Sequence, residues 1–267
     1  MKDLTSINEI LNLKNKLTII TGATAGIGKG IAVRLAEAGS DLILISRSQE
    51  DLDKTREELS EYSVNIQTFS VDLANKDNID EFWNNLGEQV PDILINNAGI
   101  FPIAKFLDMN YEEFQRVIDV NLNAVYSMCF NFVRRLKDNK KGGNILNIGS
   151  LEAVVPVREG LTHYGISKAG VVALTREIAR EFGSDNIRAN VILPGGVMTR
   201  GAMQGSTEFL KDPFGMIKDT YNFKQRLPLG RIGQPDDIAK MVLVMVSELS
   251  SYITGAVIPV DGGFLSS

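Results

Sequence analysis

The chain has 267 residues, 44% hydrophobic and 23% charged, the make-up of a soluble globular protein long enough to bury a sizeable core. Twenty-eight basic against thirty-three acidic residues leave a net charge of −5, which argues against nucleic acid or an anionic membrane as partner. A single cysteine (Cys129) and a single histidine (His163) exclude a disulfide framework, a Cys- or His-based metal site and a Ser-His-Asp triad. No metal is expected, and a reducing, cytoplasmic compartment is.

The first sixteen residues carry Asp3 and Glu9 and lack the apolar core of a signal peptide. The longest apolar run, Met241–Val246, falls far short of a bilayer. Short β-branched runs predict strands over Leu17–Thr21, Leu42–Ser46, Ile66–Val71, Ile93–Asn96, Asn144–Ile148, Arg188–Leu193 and Ala256–Val260. Between them, helical patterns span Ile27–Ala38, Gln49–Glu61, Asn75–Leu86, Tyr111–Lys137, His163–Phe182 and Pro235–Glu248. This alternation predicts an α/β fold, a parallel sheet with helices on both faces, in a single domain over 1–267. One segment, about 198–226, breaks the rhythm with Gly, Met and Phe, and reads either as a helical excursion over the core or as a substrate lid. The lid is favoured, because the segment follows a strand's C-terminal end, where open α/β sheets bind ligands.

After the first strand comes Thr21-Gly22-Ala-Thr24-Ala25-Gly26-Ile27-Gly28, which opens a helix. Glycines permit the tight turn and let backbone approach a pyrophosphate, whose charge the helix N-terminus stabilises. The second strand ends in Ser46-Arg47, with no carboxylate to hold the ribose 2′-hydroxyl of NAD. Arg47 can fork around a 2′-phosphate, unless it only flanks the next helix, so NADP(H) is expected in preference to NAD(H).

Tyr164 and Lys168 stand one helical turn apart on one face, fourteen residues or more past Ser150. A neighbouring ammonium favours the phenolate, so the pKa of Tyr164 is expected to fall from about 10, making the phenol a proton donor or acceptor for a carbonyl or alcohol oxygen.

In that order, the glycine turn, Asp72, Asn96-Asn97-Ala98-Gly99, Asn121, Ser150, Tyr164-x-x-x-Lys168, Pro194-Gly195 and the tail Tyr252-Ile-Thr-Gly-x-x-Ile-x-Val-Asp-Gly-Gly263 resemble the short-chain dehydrogenase/reductase family over nearly the whole chain. The resemblance implies a doubly wound, Rossmann-type, seven-stranded parallel sheet, a homo-oligomer (tetramer or dimer), and hydride transfer between a nicotinamide and a carbonyl or secondary alcohol. It implies Tyr164 as acid and base, Lys168 as its electrostatic partner and a ribose ligand, and Ser150 as hydrogen-bond donor to the substrate oxygen. Asn121 would hold a water joining lysine to solvent. Asp72 and Leu73 would flank the adenine, Asn97-Ala98-Gly99 would pass the adenosine ribose, and Pro194, Gly195, Val197 and Thr199 would hold the nicotinamide. Bonding of backbone by Asn96 and Asn97, capping by Thr199, and capping or packing by His163 stay open beside those roles.

Ser150 and Tyr164 are fourteen apart where many relatives have thirteen, so the loop between them is expected to bulge beside the substrate. Glu152, Arg158 and Glu159 in that loop could bind a polyol or simply be solvated. Carbonyl reductase or alcohol dehydrogenase is the favoured activity, with β-ketoacyl-carrier-protein reductase and aldose dehydrogenase as alternatives. A non-catalytic dinucleotide sensor would be expected to lack the tyrosine or the lysine, and neither is missing.

Overall fold

The computed structural model describes residues 5–199 and 223–267. A short helix, α1 (Ile7–Ile10), which the sequence pattern did not announce, precedes the first strand and is closed by a Ser6/Glu9 capping box. There follow β1 (Leu17–Thr21), α2 (Gly26–Glu37), β2 (Asp41–Ser46), α3 (Gln49–Glu58), β3 (Ile66–Ser70), α4 (Lys76–Asn85) and β4 (Ile93–Asn96). The second half holds α5 (Tyr111–Ile118), α6 (Ala124–Asp138), β5 (Gly143–Ile148), α7 (Thr162–Phe182), β6 (Ile187–Pro194), α8 (Pro235–Val246) and β7 (Val257–Val260).

The seven strands form one parallel sheet in the order β3-β2-β1-β4-β5-β6-β7. Chain direction reverses its march across the sheet between β1 and β4, and that crevice opens at the strands' C-terminal ends. Side-chain alternation feeds two separate cores. Ile19, Ile43, Ile45, Leu94 and Ile145 pack with Met128, Phe132 and Val171 on one face. Ile20, Leu42, Leu44, Ile95 and Leu146 pack with Ile31, Leu35 and Val242 on the other. Fully burying each such side chain contributes about 1.5–3 kcal/mol, so both faces hold the sheet rigid under its C-terminal edge.

On the second face α2 and α8 lie close enough that a Cβ on Gly30 would stand 3.3 Å from the Pro235 ring. Arg34 grips Asp236 through two nitrogens at 2.6 and 2.9 Å, and the pairing drives the Asp236 carboxyl well below the usual range. Asp236 sits in the first turn of α8, where a carboxylate also meets the positive helix end.

The stretch expected as one helix over Tyr111–Lys137 is instead α5 and α6 joined by a π-turn at Asp119–Asn123. One extra residue is accommodated there without breaking the rod, and Asn121 lies inside it. The lid expected at about 198–226 lies almost wholly outside the described residues. At its end Phe223 stacks on Phe264 with centroids 4.9 Å apart and covers Gly196. Among the described residues no helix is long and apolar enough to cross a membrane.

Candidate active site

The glycine turn after β1 is built for bare backbone. Gly22 and Gly26 have φ of +65° and +52°, a region costly for other residues. A Cβ on Gly28 would fall 2.1 Å from the Gly22 carbonyl oxygen, so only glycine lets α2 start there. Its N-cap, Ala25, provides no side-chain hydrogen bond, and the first turn of α2 holds no acidic residue. By contrast α3 is capped by the Ser48 hydroxyl, which leaves Arg47 out of that role. An exposed helix N-terminus at the end of a glycine turn suits a phosphate anion. Thr24 and Ser46 join the turn to the end of β2 with hydroxyls 3.1 Å apart, and the exposed Arg47 follows directly. Thr199 covers Gly26, its methyl 3.1 Å from where a Cβ would lie.

Asn97 settles on backbone. Its amide donates to the carbonyls of Thr21 and Gly22, both at 3.0 Å, while the Thr21 hydroxyl accepts from the Asn97 and Ala98 N–H groups. Asn96 likewise turns inward, donating to Asn147 at 2.8 Å, and Asn147 donates to Thr175. The side chains of both asparagines are therefore engaged within the protein, that of Asn97 on the glycine turn itself, where the Ala98 backbone also meets Gly22. Asp72, just past β3, accepts from the Ala74 N–H, and Leu73 beside it is buried. Gly195 closes on Asp261, leaving 2.7 Å between a would-be Cβ and the Asp261 Cα, and Val197 bridges to Gly233. Pro194 ends β6 on the same edge of the sheet.

Asn121 is wholly buried in the π-turn and clamps one residue from both sides. Its Oδ1 accepts from the Ile100 N–H and its amide donates to the Ile100 carbonyl, each at 2.8 Å. The remaining amide hydrogen goes to Ser167, whose hydroxyl donates to the Tyr164 carbonyl. Gly99 fits between: a Cβ there would meet Asn121 Oδ1 at 3.2 Å and Lys168 Nζ at 3.5 Å.

Tyr164 and Lys168 occupy adjacent turns of α7. The Lys168 Nζ lies 5.8 Å from the centre of the phenol ring and donates to the Ile148 carbonyl at 2.8 Å. Ser150 is within hydrogen-bonding reach of the Tyr164 phenol and lowers its pKa, while its Oγ also accepts from the Glu152 N–H at 3.2 Å. Capping a 3₁₀ turn over Leu151–Ala153 and facing the phenol are thus one arrangement. Phe101, whose place here nothing in the sequence signalled, meets Tyr164 edge-on at 5.9 Å.

The expected fall in the tyrosine pKa is corrected. Burial pushes Tyr164 up to about 12, against the lowering by Ser150, and the Glu152 charge adds to the rise. Burial also takes Lys168 down to about 8. Each loses more by leaving water than it gains from the other, because the ammonium is aimed at a carbonyl rather than at the hydroxyl. His163 is buried against the Pro102 carbonyl, and burial keeps its pKa low. It packs the loop carrying Phe101 onto α7. Among the described residues no cluster of His, Cys, Asp or Glu could hold a metal.

Proteins of known sequence and structure resemble this chain over nearly its whole length. Residues 22–265 match the family model described as enoyl-(acyl carrier protein) reductase. A 3-oxoacyl-(acyl-carrier-protein) reductase of Aquifex aeolicus is 34% identical, the match covering 95% of this chain and 98% of that one. A 3alpha-hydroxysteroid dehydrogenase of Mediterraneibacter gnavus is 35% identical over 94% of this chain and 97% of its own. A crystal structure of a candidate NAD(P)-dependent gluconate 5-dehydrogenase from Beutenbergia cavernae, with NADP bound at low occupancy, superposes with a TM-score of 0.88. It is 26% identical and covers 97% of this chain and 100% of that one.

Proposed function

The chain belongs to the short-chain dehydrogenase/reductase family, and from that premise we propose that it is an NADP(H)-dependent oxidoreductase interconverting a ketone and a secondary alcohol. It is an enzyme of alcohol and carbonyl groups that works with a nicotinamide cofactor. The observation that carries the finer reading is the Ser150–Tyr164 pair, with Lys168 one turn on, beside a glycine turn that admits no side chain.

The bare backbone of Gly22, Gly26 and Gly28 and the uncapped start of α2 fit a dinucleotide pyrophosphate. Thr24, Ala25 and Ile27 complete that turn, with Ser46 and Arg47 toward the 2′-phosphate of NADP, which is preferred over NAD. Asp72 and Leu73 would border the adenine, and the Asn97-Ala98-Gly99 backbone the ribose. Pro194, Gly195, Val197 and Thr199 would border the nicotinamide. When bound, the nicotinamide exchanges a hydride with the substrate carbon.

The protein's own groups handle the oxygen and the proton. Ser150 donates a hydrogen bond to the substrate oxygen, holding it against Tyr164. Tyr164 keeps its proton at neutral pH and delivers it to the oxygen as the carbonyl is reduced; in the reverse direction it removes the alcohol proton. Lys168 places a positive charge next to the phenolate so left, and Asn121 fixes the Ile100 segment that walls this pocket.

Reduction of acyl thioesters is the second reading, favoured by the likeness to the Aquifex aeolicus reductase. Against it, Lys141, whose charge beside that of Lys140 could meet an acidic carrier protein, turns inward to the Val90 carbonyl and to Asp92 at 3.0 Å. Tyr126 and Phe130 stack on the outer face of α6 with about half of each exposed, which supports a homo-oligomer. Cys129, buried with its thiol pushed up to about 12, is unreactive and consistent with a cytoplasmic site of action.

The test is a screen of ketones, sugars and acyl thioesters with NADPH and NADH. Ketone reduction should run with NADPH and vanish in Tyr164→Phe, while NADPH still quenches or shifts protein fluorescence on binding. Full activity in that variant would remove the reading.

A further inference from the structure

A cavity of about 480 Å³ opens between the loop after Ser150 and the first turn of α7, with Glu152, Arg158, Glu159, Thr162 and Gly165 in its wall. Within that wall Glu152 is held unlike an ordinary loop carboxylate. One oxygen, Oε1, accepts from the N–H groups of Val157 and Arg158 at 3.1 and 3.0 Å. Its own N–H is held by Ser150 Oγ. Its carbonyl lies 3.2 Å from where a Cβ on Gly165 would be, so the segment cannot shift toward α7. The other oxygen, Oε2, bonds to no described residue and is not fully buried, on a residue that lines the cavity. The residue is half-buried, and burial raises its pKa despite the two backbone donors.

Resting on the carbonyl-reductase reading of the site, we propose that Glu152 selects substrates that carry a hydroxyl on the carbon next to the reacting one, its Oε2 accepting a hydrogen bond from that hydroxyl. Three observations converge on this. The carboxylate is fixed before any ligand arrives, so no side-chain entropy is lost in using it. It adjoins the reacting groups through Ser150, which touches both its N–H and the Tyr164 phenol. Its second oxygen, which bonds to no described residue, belongs to a half-buried side chain, and a charged acceptor in that state gains most from a donor and penalises a ligand that lacks one. Glu159, in the same wall, is exposed and has water as an alternative. The substrate class is accordingly an α-hydroxy ketone in reduction, or a vicinal diol in oxidation.

The test compares acetoin with 2-butanone, and 2-hydroxycyclohexanone with cyclohexanone, using full-length protein and NADPH. Glu152→Gln retains a carbonyl oxygen for the Val157 and Arg158 N–H groups, so the loop stays closed, and thermal melting verifies that. The amide replaces only the charged acceptor. For the hydroxylated ketones kcat/KM should drop about tenfold in Glu152→Gln, mainly through KM, as loss of a charge-assisted bond does. For the plain ketones it should change less than about twofold. Equal loss on both members of a pair would make Glu152 merely a loop anchor and overturn the proposal, as would no loss on either. A wild type active only on plain ketones or thioesters overturns hydroxyl selection alone. One inactive on every carbonyl overturns the reading of the site itself.

Discussion

The ammonium of Lys168 is bonded to the Ile148 carbonyl at 2.8 Å and stands 5.8 Å from the centre of the Tyr164 ring. The β5 backbone therefore fixes the lysine independently of the tyrosine. Burial leaves Lys168 at about 8 and Tyr164 at about 12. In the free enzyme the phenol is protonated across the working range, and what changes is the lysine charge. We expect kcat/KM for ketone reduction to decline as pH rises through about 8, where the ammonium loses its proton. A profile flat from about pH 6.5 to 9.5 would contradict it.

The same shift has a stability consequence. The folded lysine titrates at about 8 and the unfolded one at 10.5, so between those values the unfolded chain binds more protons. Stability therefore rises with pH across that window, and the full cost of the buried charge is present below it. At about 1.4 kcal/mol per unit the cost is ~3 kcal/mol. Relative to Lys168→Met, the wild type should gain urea midpoint from pH 8 to 10.5. Parallel curves for the two proteins would contradict this.

Ser150→Ala removes the donor for the substrate oxygen and the Glu152 N–H acceptor together. A drop in kcat of about a hundredfold is expected, with melting temperature reduced by only a few degrees. A change confined to KM would assign the serine to binding instead.

Arg47 stands exposed just past the Ser46 end of β2, and Ser48 caps α3 in its place. Replacing it by alanine should raise KM for NADPH about ten- to a hundredfold and leave KM for NADH nearly unchanged, since only the 2′-phosphate loses a charged partner. Equal effects on both cofactors would disconnect Arg47 from that phosphate.

In Gly28→Ala the new methyl would meet the Gly22 carbonyl oxygen at 2.1 Å and the Asn97 amide at 2.4 Å. Both are held by bonds to the β1–β4 seam, so the turn itself must move. Loss of measurable NADPH binding in calorimetry is expected, together with a lower melting temperature. Retained affinity would show the turn more yielding than its packing implies.

All seven strands are readable because each is a short apolar-rich run between turn residues, and the five inner ones are largely buried, while β3 and β7 lie half-buried at the edges. The glycine turn and the Tyr164/Lys168 spacing were readable because their chemistry is local. What escaped depends on distant partners. Backbone bonding by Asn97 is open in the sequence, but not its partners, the carbonyls of Thr21 and Gly22, which lie seventy-five or more residues away. The direction of the phenol's pKa escapes for a related reason: spacing gives proximity, while burial decides the sign. Glu152 reads in the sequence as either a polyol ligand or a solvated loop charge, and its two backbone donors, five and six residues on, appear only in the folded loop.

The wide turn at Asp119–Asn123 takes up one surplus residue, so excising that residue would close it to an ordinary helical turn and leave Met128 and Phe132 of α6 still facing the core. What would go is the clamp: Asn121 would no longer be set to hold both the N–H and the carbonyl of Ile100. A one-residue deletion in this stretch should therefore spare folding and cost activity, which separates the bulge's use from the packing around it.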